Sequence, residues 1–176
     1  MSRMDSICMV VGLGNELLGD DGVGVHAVRA MAANPPPGAA LLEIGTAVWH
    51  LADMLHGGEH LVAIDAVATG RPPGTVVLMQ GSDAHAALRD AGAHGLGLME
   101  MLALSNAQPA SVTVVGVEPQ RLEYTTSLSQ PVAAALPHVL AAVHWLAAPN
   151  PVAGNRSCSQ EILTDAIFAP HHGLLA

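Results

Sequence analysis

Directly behind an apolar run the chain reads Gly12-Leu13-Gly14-Asn15-Glu16-Leu17-Leu18-Gly19-Asp20-Asp21-Gly22-Val23-Gly24, a loop with five glycines and three carboxylates. Glycines after a strand let a backbone approach phosphate groups closely, so dinucleotide binding is the first chemistry to test. That fingerprint needs a third glycine where this chain has Leu17. Glu43 stands where the ribose-binding acid would follow, but it cannot repair a broken loop. Asp20 or Asp21 can instead cap a helix starting at Val23, by accepting the amide protons of its first turn. Asp65 ends another apolar run and can close a strand in a turn. The ten histidines invite metal binding, above all His171-His172 and the set His50, His56 and His60. None stands at a recognised ligand spacing and no His-Glu-x-x-His signature occurs, so these read as non-ligands. No Ser–His–Asp or Cys–His nucleophile is apparent, because Cys8 falls inside the first apolar run and reads as a small buried hydrophobe.

The elements that must position these residues follow from periodicity. A continuous apolar run over 7–13 predicts a strand covered on both faces. A helix over 23–31 follows, broken by Pro35-Pro36-Pro37-Gly38. Strands are expected over 40–44, 60–65, 75–79 and 111–117, with a short helix over 47–55 and a longer one over 96–104. Leu98, Met99, Met101 and Leu102 read as core packing of that longer helix. The stretch 82–95 reads mostly as loop, with a short helix over 84–88. A last helix is expected over 130–147, kinked or begun at Pro137. Strands alternating with helices define an α/β chain: a mostly parallel, twisted five-stranded sheet with helices on both faces. One domain is expected over 1–148, followed by a Pro/Asn/Ser-rich tail over 149–176, loosely docked or disordered.

Composition narrows the partners. The formal charge is −9, from 15 acidic and 6 basic residues, which disfavours nucleic acid as a partner. The run over 7–13 is too short to span a bilayer, and the uncharged stretch over 131–148 is interrupted by Pro137, His138 and His144. It reads as a core helix, so no membrane association is expected. Two cysteines, Cys8 and Cys158, suggest no disulfide framework. These features predict a soluble cytoplasmic protein.

The loop over 12–24 matches, without a gap, the pattern Gly-x-Gly-Asn-x-Leu-x-x-Asp-(Asp/Glu)-Gly-x-Gly. Four features follow it in order: Gly45-Thr46-Ala47, Asp65-Ala66, His94-Gly95-Leu96-Gly97-Leu98, and Gly116-Val117-Glu118-Pro119. The approach from Ser127 to Pro131 adds a fifth. In this order and spacing, over residues 6–147, the chain resembles the maturation endopeptidases of nickel–iron hydrogenases. One departure is Glu43, where the family often has Asp. The Gly-Leu-Gly-Asn strand end also resembles peptidyl-tRNA hydrolase, but that likeness stops where Glu16-Leu17 replaces Pro-Gly.

The resemblance implies an endopeptidase that removes the C-terminal extension of a hydrogenase large-subunit precursor, its partner, after nickel insertion. Nickel would then arrive with the substrate, and no organic cofactor is implied. The family's metal-contacting, catalytic positions fall on Asp21, Asp65 and His94. Independently, Asp21 follows the first strand and Asp65 ends the third, so both should open onto the carboxyl edge of the sheet. His94 sits in a glycine-flanked segment able to fold over that edge. Two carboxylates and an imidazole suit a borderline divalent ion such as nickel or zinc. Gly14, Asn15, Asp20, Gly22 and Gly24 are expected to shape the loop. An alternative is a non-catalytic, nickel-sensing chaperone of the precursor, which would use the same three ligands.

Overall fold

A computed structural model describes residues 7–90 and 93–148, with the backbone alone for 87–90 and 93–96. The expected tail over 149–176, with Cys158 and His171-His172, lies outside the described residues.

Strand β1 (Cys8–Leu13) is buried along its whole length. A strand apolar at every position has no face to offer water, so it belongs in the middle of a covered sheet. It pairs in parallel with β2 (Ala39–Gly45) on one side and β3 (His60–Ala66) on the other. Two further strands, β4 (Val76–Gln80) and β5 (Ser111–Val117), complete the order β2-β1-β3-β5-β4. β3 and β5 are parallel, and β4 runs antiparallel at the edge. The mostly parallel five-stranded sheet expected from the alternation is therefore present. β4 reverses because only residues 67–75 separate it from β3, and a parallel return needs a crossover of about a dozen residues or more.

The helices are α1 (Val23–Met31), α2 (Gly81–Asp90), α3 (Ala93–Leu104) and α4 (Gln130–Ala147). Alternate strand residues face opposite sides. Val10, Val62, Ile64 and Val115 pack with α1 and α4, whereas Val11, Leu61, Ala63 and Val114 pack with α3 and a 3₁₀ segment over Val48–Asp53. Leu98, Met101 and Leu102 are buried in the second core, as expected. On α4, Val132, Ala135, Val139, Ala142, Val143 and Ala147 form a buried stripe at steps of three and four. Pro137 lies inside this helix and removes one backbone bond without ending it. Among the described residues no helix is long and apolar enough to cross a membrane.

One stretch departs from expectation. Within the stretch 82–95, read mostly as loop, 82–90 belong to α2 and 93–95 to the first turn of α3. α2 is short and polar on average, with the small Ala84 buried, and its alanines have high helix propensity. Gly95 and Gly97 each cost α3 about 1 kcal/mol relative to Ala, and Gly95 makes its first turn look unstructured. Gly97 repays this in packing, since a methyl there would sit 2.9 Å from Val48 Cγ2.

Candidate active site

Register builds the site. Gly12 of β1 pairs with Ile64 of β3, so the turn after β1 and Asp65 emerge level at the carboxyl edge. Gly14 has φ +102°, in the left-handed region that a side chain resists. A methyl on Gly14 would overlap the Asp21 carbonyl oxygen and stand 3.6 Å from Asp65 Oδ1. Gly14 thus lies beside both the Asp21 backbone carbonyl and the Asp65 carboxylate. Asp21 Oδ2 accepts the Asn15 N–H at 2.7 Å, and Asn15 Oδ1 accepts the Leu17 N–H at 3.0 Å, closing an Asx turn. Asp65 is fully buried, and its Oδ1 accepts the Ala66 N–H at 2.9 Å. The Gly14 N–H donates to the Gly45 carbonyl at 3.2 Å, tying the ends of β1 and β2.

His94 lies in the first turn of α3 and not in a loop. α3 packs on the 3₁₀ segment and leads towards the start of β5 at the amino edge. Its first turn therefore begins at the edge that carries Asp21 and Asp65. The structure describes His94 by its backbone only. Among the described residues, no three His, Cys, Asp or Glu side chains are grouped to hold a metal ion.

Asp20 was expected to cap the first helix and order the loop, with Asp21 the other capping candidate. Neither 3₁₀ turn Gly19–Gly22 nor α1 has a side-chain cap. Asp20 is fully buried and points the other way, to the chain between β5 and α4. It accepts four hydrogen bonds, from the N–H groups of Gln120 (2.8 Å), Arg121 (2.9 Å) and Ser129 (2.6 Å) and from the Ser129 hydroxyl (2.8 Å). Ser129 is the N-cap residue of α4, where a carboxylate is favoured by the helix dipole. The capping chemistry foreseen for Asp20 is thus used on a helix more than a hundred residues away.

Two more buried acids organise loops, and composition alone did not reveal them. Glu118 accepts from the Thr69 N–H and hydroxyl, both at 2.6 Å, and holds the segment that follows Asp65. Glu59 accepts the His56 N–H at 2.7 Å and the Gly57 N–H at 3.0 Å. In Asp20, Glu59 and Glu118, burial pushes the carboxyl pKa up, but the donated hydrogen bonds outweigh it and hold each below its ordinary value of 3.8 or 4.5. A carboxylate depressed in the folded state stabilises the fold above its ordinary pKa and loses that contribution as pH falls through the folded value. The melting temperature should therefore stay level near neutrality and drop once pH goes below about 4. Thermal melts across this range test it, and a constant melting temperature down to about pH 2 would contradict the role of the three acids.

An open cleft of about 340 Å³ adjoins Gly14, walled by Asn15, Leu17, Gly45 and Thr46. Arg29 crosses it, bonding Glu16 at 2.5 Å and Glu43 at 2.9 Å. The extra methylene of Glu43 is thus used to reach Arg29. Gly22 and Gly24, expected to shape the loop, are sites of close approach. Gly22 has φ −75°, and a methyl on it would stand 2.6 Å from Glu16 Cα. Gly24 lies within α1, against the carbonyl oxygens of Leu13 and Ile64.

Comparison with known proteins gives this arrangement a class. The family model described as a hydrogenase maturation protease matches residues 25–144. The hydrogenase expression/formation protein HoxM of Azotobacter vinelandii is 31% identical over 170 residues, spanning 92% of this chain and 82% of that protein. The hydrogenase maturating endopeptidase HybD from E. coli superimposes with a TM-score of 0.71 at 30% identity, over 78% of this chain and 89% of that one. A hydrogenase maturation protease HybD from Thermococcus kodakarensis gives a TM-score of 0.68 at 29% identity, over 80% and 99% of the two chains. The fold is that of these peptidases. The chain belongs to the hydrogenase maturation protease family and is a peptide-bond hydrolase.

Proposed function

We propose that this enzyme removes the C-terminal extension of a nickel–iron hydrogenase large-subunit precursor, and does so after nickel has entered that precursor. The observation that supports this most directly is that Gly14, on the cleft wall at the carboxyl edge, lies beside both the Asp21 backbone carbonyl and the Asp65 carboxylate. In this reading nickel belongs to the substrate and no organic cofactor takes part. Asp21, Asp65 and His94 contribute two carboxylates and an imidazole, donors suited to a borderline divalent ion. A buried carboxylate also gains from an opposite charge brought beside it. Nickel held there supplies a polarised carbonyl or a more acidic bound water. The chain's own part is to orient the ion, and with it the scissile bond, using a loop already rigid in the free enzyme. The working compartment is the cytoplasm, in keeping with an acidic chain holding two cysteines.

Incubation with nickel-loaded and nickel-free precursor, followed by mass measurement of the precursor, tests the reading. Loss of a C-terminal peptide in the loaded sample alone is the expected result. Equal cleavage of both samples would remove nickel from the recognition step, and binding without any mass change would remove the proposed reaction.

A further inference from the structure

Aromatic residues are scarce in this chain: two Trp, one Tyr and one Phe. Of those described, none lies in the core, with Trp49 51%, Trp145 41% and Tyr124 91% exposed. Aromatic rings supply large contact areas and dominate the energetics of protein–protein contacts. Tyr124 is distinctive because the loop beneath it is firmly anchored. Asp20 holds the loop at Gln120, Arg121 and Ser129. The Gly19 N–H donates to the Thr125 carbonyl at 2.7 Å, and the Thr125 N–H donates to the Leu17 carbonyl at 3.1 Å. A loop fixed this way meets a partner without paying the ordering entropy of a mobile one.

The loop's surface is neutral overall, with Leu122 and Tyr124 its exposed apolar side chains. Arg121 pairs with Glu123 at 3.1 Å, so its charges cancel, and Leu122 stands 59% exposed beside them. Leu17, 56% exposed, joins this surface to the cleft, since it lines the cleft wall and its carbonyl receives Thr125. The apolar strip therefore leads out of the site. A cleft of about 340 Å³ admits only a short segment of a polypeptide, whereas a specific protein–protein contact covers about 800 Å² on each partner. Selection of one protein substrate needs surface beyond the cleft. On a chain of charge −9, a neutral strip beside the site complements an apolar surface and not a basic one.

We propose that Leu17, Leu122 and Tyr124 form a docking face for the folded body of the protein substrate, receiving an apolar surface that flanks its scissile bond. The inference rests on the proteolytic reading above. Its test compares the full-length enzyme with Tyr124→Ala and Leu122→Ser, using nickel-loaded precursor in two assays: steady-state processing, and binding by biolayer interferometry. Both side chains are mostly in solvent, so the variants should melt with the wild type. Each should raise KM and Kd about tenfold while leaving kcat within about twofold, as the loss of a contact hot spot does. Tyr124→Phe, which keeps the ring, should stay within about twofold of wild type in both. Unchanged KM and Kd in the Ala and Ser variants overturn the docking face. So does a wild-type dimer that Tyr124→Ala turns monomeric with KM unchanged, since the strip would then serve a second copy. Wild type that binds the precursor without cutting it defeats the proteolytic reading, and the Kd comparison still decides the docking face.

Discussion

Asp65→Asn should abolish measurable processing while leaving the fold intact. Asparagine has nearly the same shape, and its amide oxygen can still accept the Ala66 N–H that Asp65 Oδ1 accepts at 2.9 Å. The substitution therefore removes charge and little else. At a fully buried position beside the site, charge is what a divalent ion on the substrate would seek. Loss of electrostatic stabilisation at a water-excluded site is worth on the order of a hundred- to a thousandfold in rate. Asp21→Asn should act in the same direction, because its amide can keep the Asn15 N–H bond. His94→Ala should do so as well, at the first turn of α3. The measurement is the rate of precursor mass change, with a melting curve beside it. Full activity in any one variant that melts normally would take that residue out of the site.

The largest loss of stability should come from the smallest substitution, Gly24→Ala. In an ordinary helix the change would favour the fold by up to about 1 kcal/mol. Here the added methyl would overlap the Ile64 carbonyl oxygen and stand 2.5 Å from that of Leu13. Both are backbone atoms of the central strands, which cannot move without disturbing the sheet. Gly12 faces the same contact from below, since a methyl on it would overlap the Gly24 carbonyl. The two glycines let α1 lie directly against β1, and overpacking such a contact costs about 1–3 kcal/mol or somewhat more. Urea unfolding should show a net loss of about 2 kcal/mol or more, with reduced processing from the displaced loop. A Gly24→Ala enzyme as stable as wild type would show that α1 is free to lift.

The parts of this molecule readable from sequence are those decided by near neighbours along the chain. β1 announced itself because every residue from Cys8 to Leu13 is apolar, and α4 because its apolar stripe recurs at helical spacing. Asp21 and Asp65 could be assigned to one edge by the rule for parallel strands, and both lie near Gly14 there, Asp21 by its backbone carbonyl. The partners of Asp20 were beyond such reasoning, as nothing near position 20 points to Ser129. The Glu16–Arg29–Glu43 group was equally hidden, because its three members come from a loop, a helix and a strand. α2 was missed for a different reason, as a short helix that is polar on average reads like a surface loop. The resemblance to a family added what geometry could not, the selection of His94 from ten histidines.

Asp20 and Ser129 stand 109 positions apart. Ribosomes adding about 5–20 residues each second release them roughly 5–20 seconds apart. For the first hundred residues of that interval the carboxylate that anchors the loop has none of its four donors, and it must remain in water. Asp21, its immediate neighbour, waits with it. Chain order alone therefore delays the anchoring of this loop until the segment from Gln120 to Ser129 has been made. A chain arrested at Pro119 should leave Asp20 open to carbodiimide labelling, whereas the released chain should protect it.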